Sequence, residues 1–192
     1  MRKMKFALAI LVSLCADLAA AQGWSEFVDR QEMFLVHFPG APAVADMTYV
    51  SEYQAVLPGK VYALSDGGVD YSVTVVNYGE TTIEGDRTIW DFAGAVDFAA
   101  WNIRKRGGEI TYDGWAQSDR IPGHQLQIVN DDGSHTLIAI RAHGTRLYIV
   151  EAKAAPGTPL PNHFQQSLRI LDENGEIVRY DTDFRTRIEA ER

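Results

Sequence analysis

The sequence has 192 residues, of which 18 are Lys or Arg, 26 are Asp or Glu and one is Cys, with a formal net charge of −8. That acidic balance offers no compensating surface to phosphate groups, so nucleic acid is excluded as an expected partner. Hydrophobic residues make up 46% of the chain, enough for one sizeable core, and no stretch reads as an interdomain linker.

The first segment in chain order is an export signal. Arg2, Lys3 and Lys5 precede the apolar run Phe6 to Leu14, and Ala19-Ala20-Ala21 supply the small residues of a cleavage site. Residues 1–21 are therefore expected to be a secretory signal peptide cleaved near Ala21/Gln22, and the protein to be periplasmic or secreted. The apolar run is too short to cross a bilayer, and no later run approaches spanning length. Cys15 would be the acylated residue of a lipoprotein, but Leu14 stands where that processing needs a small residue. The mature chain then has 15 basic and 25 acidic residues, hence a charge of −10, and no cysteine for a disulfide, a thiolate nucleophile or a metal.

Residues 22–192 read as a single domain. Trp24 to Arg30 and Met33 to Phe38 are expected to form an opening hairpin, and Phe34 to Pro42, FLVHFPGAP, to be a strand stopped by two prolines. Met47 to Gln54, Val61 to Leu64 and Tyr71 to Tyr78 follow as strands, the last two flanking the turn signal Asp66-Gly67-Gly68. From Asp86 to Arg106 the period changes, with Ile89, Phe92, Val96, Ala99 and Ile103 at helical spacing. Thr88 and Asp91 resemble a capping arrangement, Arg104-Lys105-Arg106 suit the negative pole of the helix, and Gly107 suits its left-handed closing position.

Trp90, Phe98 and Trp101 lie on a second face of this helix, together with Gly94. Burial against a sheet and a neighbouring loop is the ordinary reading of such a face; a groove that receives a ligand is the alternative. The glycine is expected to let a neighbouring element approach closely.

Beyond the helix, Glu109 to Ser118, Gln125 to Val129, Thr136 to Ala142 and Leu147 to Ala152 read as strands of a meander. A two-residue turn at Asp132-Gly133 would set Ile128 opposite Leu137, Leu126 opposite Ala139 and His124 near Arg141. Pro156, Pro159 and Pro161 bracket a loop into a second helix, Asn162 to Leu171, which Asn174-Gly175 stops before a short strand Ile177 to Tyr180. The charged tail from about residue 182 reads as frayed or weakly docked.

The order of strands, long helix, meander and closing helix, with Phe38-Pro39-Gly40-x-Pro42, Val61-Tyr62, Tyr71 to Val75, Leu147 to Ala152, Phe164 and Ser167-Leu168, resembles the exported proteins related to PsbP. More narrowly it resembles uncharacterised bacterial periplasmic members of that group. The resemblance implies an α+β fold, an α/β/α sandwich with a central, mainly antiparallel sheet flanked by helices. It also implies an accessory or binding role, and it transfers no catalytic residues.

The chemistry-bearing residues agree with a non-catalytic reading. His37 alternates with Val36 and Phe38 and reads as a surface or hydrogen-bonded histidine rather than a base. His124, His135, His143 and His163 are dispersed, without the paired spacing of a zinc site, so no metal or other cofactor is expected. Asn130 to Ser134 is oxygen-rich but lacks calcium-loop spacing. Asp119-Arg120-Ile121-Pro122-Gly123-His124 is the densest polar set, read either as an Asp and Arg pair bracing a turn or as an anion or substrate site. Two functions follow. The first is recognition of a protein or envelope component through the helix carrying Trp90, Phe98 and Trp101, or through an exposed sheet edge. The alternative is a small-ligand-binding protein or hydrolase with a pocket near Trp101, Asp119, Arg120 and His124.

Overall fold

The structure is a computed structural model that describes residues 23–79 and 90–180. The leader expected over residues 1–21, the cap expected at Thr88, the side chains of Ile89, Trp90, Asp91 and Phe92, and the tail from 182 lie outside the described residues.

Alternating side chains produce two antiparallel sheets. The larger contains β3 (Ala43–Val50), β4 (Val56–Asp66), β5 (Val69–Asn77), β6 (Glu109–Ser118), β7 (Ile121–Val129), β8 (His135–His143) and β9 (Arg146–Ala154) in the order β3-β4-β5-β9-β8-β7-β6. The smaller has the order β1-β2-β10, from β1 (Ser25–Asp29), β2 (Phe34–Phe38) and β10 (Arg169–Ile170). The helices are α1 (Trp90–Arg104) and the six-residue α2 (Asn162–Ser167).

This architecture corrects the expected α/β/α sandwich. The described residues are mostly strand, and the large sheet is not flanked by helices on both faces. α1 covers one face; the other is covered chiefly by the three-stranded sheet, with α2 beside it. Two features of the sequence account for the difference. The opening hairpin folds over the sheet, burying Phe34, Val36 and Phe38 against Tyr62, Val73 and Val150. The segment Asn162 to Leu171, expected to be one helix, ends at Ser167, whose hydroxyl donates to the carbonyl of Phe164 (2.9 Å) and accepts from the backbone N–H of His37 (3.1 Å). A hydroxyl that engages the backbone competes with the next helical hydrogen bond, and the chain leaves to pair with β2.

The opening hairpin is clamped to the large sheet by charge. Glu32 accepts from Lys60 (2.8 Å) and Arg146 (3.2 Å), while Tyr62 donates to Asp29 (2.6 Å). On the opposite face, α1 seats Ala95, Val96, Ala99, Ala100 and Ile103 against Leu126, Ile128, Ile138 and Ile140. The small residues allow close approach, and Gly107, with φ +92°, closes the helix as its position predicts. Gly94 admits no close neighbour: it is exposed, and a Cβ there would meet only Glu52 Oε1 at 3.9 Å.

The β7–β8 register also departs from the expected one. Asn130 to Ser134 form a longer loop, in which Asp132 Oδ1 accepts from the Ser134 N–H (2.9 Å) and Asn130 Nδ2 donates to Ser134 Oγ (2.9 Å). Ile128 therefore faces Thr136, Leu126 faces Ile138, and Arg141 faces Gly123 rather than His124.

Candidate functional site

The expected site residues divide between the two faces of the large sheet. His124 lies on the α1 face and is 5% exposed; its Nε2 donates to Asp113 Oδ1 at 2.5 Å, since a carboxylate can only accept. Arg104, at the end of α1, grips the same carboxylate through Nε (2.6 Å) and Nη2 (2.7 Å). His124 Nδ1 is buried with no partner among the described residues, so no hydroxyl is bonded to it as a nucleophile would be.

Around this cluster lie aromatic side chains. Trp115, beside Asp113 on β6, packs edge-on against His124 with ring centroids 5.6 Å apart. Phe98 and Trp101 stack on the outer side of α1 at 5.8 Å, with Lys105 Nζ 3.6 Å above the Trp101 ring. The basic run is thus absorbed locally: Lys105 by Trp101, Arg104 by Asp113, and Arg106 by Glu151 at 2.8 Å.

The Arg104 guanidinium, with a smaller contribution from His124, holds the Asp113 carboxyl at about 2 against an ordinary 3.8. A folded pKa below the unfolded one stabilises the protein fully above pH about 4, and the contribution is lost as pH falls toward 2. The melting-temperature gap between wild type and Asp113→Asn is therefore expected to be steady at pH 4.5–5.5 and to close by pH 2. A gap independent of pH would show that the ion pair contributes nothing.

Asp119 and Arg120 lie elsewhere. They are the two-residue turn joining β6 to β7, with φ of +51° and +63°, the geometry of a tight hairpin. Asp119 does not brace the turn through Arg120; it meets Arg169 (3.3 Å) and Arg179 (4.0 Å). With Ile121 it faces the small-sheet layer, so Asp119 and His124 do not converge on one pocket.

That second face carries a feature the sequence reading did not single out. Between β6, β7 and α2 lies a cavity of about 340 Å³. Arg141 lines it, is 4% exposed, and lies over its cross-strand partner Gly123. A Cβ at Gly123 would meet the carbonyl oxygen of Ile140 and the Nη1 and Cδ of Arg141 at 2.5 and 2.6 Å, so only glycine leaves room. Arg141 Nη1 donates to Ile140 O (2.8 Å) and His124 O (3.4 Å), and its Nε has no partner among the described residues. Burial lowers its pKa to about 10, which leaves it charged at neutral pH.

A further pairing also escaped the sequence reading. His37 Nδ1 and His163 Nε2 are 2.9 Å apart, and Trp24 packs edge-on against His163 at 5.0 Å. The two histidines are 126 residues apart and meet only because α2 packs on β2.

No family model matches the chain, and no curated protein matches it. Among solved structures it is similar to the solution structure of cyanobacterial PsbP (CyanoP) from Synechocystis sp. PCC 6803. The identity is 13%, the likeness covers 83% of this chain and 98% of that one, and the TM-score is 0.47. No described helix is long and apolar enough to cross a membrane.

Proposed function

We propose that the protein is an exported binding or accessory module that recognises a protein or envelope component and catalyses no reaction. The observation that carries this reading is the free edge of the large sheet. Among the described residues strand β6, ten residues long, pairs only with β7 in that sheet, and Trp101, Tyr112 and Trp115 are 48%, 45% and 49% exposed. An open edge offers backbone donors and acceptors for strand addition, and large aromatics supply rigid contact area beside it. The Arg104, Asp113 and His124 cluster ties α1 to β6, so a partner meets a preformed surface and less ordering entropy opposes binding. Export is supported by the basic, apolar and small-residue pattern of residues 1–21.

The test places a photoreactive aromatic residue at position 115 in intact cells, with the same residue at Leu160, which is 43% exposed, as the control. A discrete adduct at 115 that disappears when Trp101→Ala is added, with none at 160, is the expected result. Equal adducts at both positions, or none at 115, would remove the reading.

A further inference from the structure

The cavity between α2 and the β6–β7 end of the sheet shares β6 with the partner edge but lies on the face opposite Trp115 and His124. We propose that it binds a small organic monocarboxylate, with Arg141 as the anchor.

The charge is the first reason. Arg141 is buried and ionised, and no carboxylate pairs with it among the described residues; its guanidinium is bonded only to two backbone carbonyls. Holding a lone guanidinium out of water is unfavourable, and a bound anion reverses that penalty. The close fit over Gly123 keeps the side chain extended against the sheet, so the fork is in place before a ligand arrives.

The lining is the second reason, because it selects the class of anion. Gln117, Ser118, Gln125 and Gln165 contribute neutral polar groups, Ala139 and Leu168 contribute apolar ones, and Arg141 is the one charged residue in the lining. A guanidinium presents parallel donors that match the two oxygens of a carboxylate. A doubly charged phosphate would keep one charge uncompensated inside a chain of net charge −8. Amides and a hydroxyl suit a ligand body bearing hydroxyl or amide groups, and 340 Å³ lies at the small end of ligand-pocket sizes. Gln165 is itself 3% exposed and held by Nε2 donation to Ile138 O (2.8 Å), which fixes that wall.

The experiment titrates the full mature chain calorimetrically with gluconate, a hydroxylated monocarboxylate, against glucose and inorganic phosphate. Gluconate is expected to bind saturably, glucose not to bind, and phosphate to bind at least about tenfold more weakly. Arg141→Met is expected to weaken gluconate about tenfold or more, since a charged hydrogen-bonding group is lost. If that variant does not fold, Gln125→Ala is used instead and is expected to weaken binding severalfold. Absence of gluconate binding overturns the proposal, as does binding that neither variant changes. Glucose or phosphate binding as tightly as gluconate overturns the assigned class. Trp115→Ala is expected to leave gluconate affinity unchanged, so failure of this site and failure of the partner surface are separately visible.

Discussion

Gly123→Ala is expected to lower the melting temperature by about 6–12 °C, the equivalent of about 3 kcal/mol in a domain of this size. The new methyl would collide with the Ile140 carbonyl oxygen on the paired strand and with the Arg141 side chain lying across the glycine. The strand can give way only by breaking ladder bonds, and the arginine only by leaving its two carbonyls. Thermal unfolding followed by circular dichroism measures the effect; a shift under about 2 °C would show that Arg141 does not rest on this residue.

Phe164→Ala is expected to cost about 3–5 kcal/mol, read as a lower urea midpoint. Phe164 is fully buried, with its ring 5.0 Å from those of Phe38 and Tyr71. α2 has six residues and no side-chain cap, far too short to hold itself as a helix. It stays in place because Phe164 and Leu168 are anchored in the core shared with the small sheet. Loss of the ring therefore loosens the wall that carries Gln165, and gluconate binding is expected to weaken in parallel. A urea midpoint near that of wild type would mean that α2 is held by something other than this core.

The elements were readable where local chemistry decides them. Alternation marked the opening hairpin, Asp66-Gly67-Gly68 marked the β4–β5 turn, and Val96, Ala99 and Ile103 marked the inner face of α1. The layer structure was not readable, because a hydroxyl at Ser167 ends α2 through a contact with β2 that exists only in the folded chain. The site was hidden by a single step of register. A two-residue turn at Asp132-Gly133 sets Arg141 beside His124, whereas the observed loop sets it opposite Gly123 and therefore on the other face of the sheet. Side-chain bonds among Asn130, Asp132 and Ser134 decide that step, and turn composition alone does not distinguish the two loop lengths. The polar run from Asp119 to His124 did lie near both surfaces; its contribution to the cavity is the missing side chain of Gly123 rather than any group it carries.

The central claim is that Arg141 stands charged at the wall of the cavity with a guanidinium that no carboxylate of the described residues neutralises. The most direct measurement is the nuclear magnetic resonance signal of the Arg141 Nε–H, assigned by its loss in Arg141→Met and followed during gluconate addition. The account predicts a signal protected from exchange in the free protein that shifts saturably with gluconate and does not shift with glucose. A signal that stays fixed while the protein remains folded would contradict it.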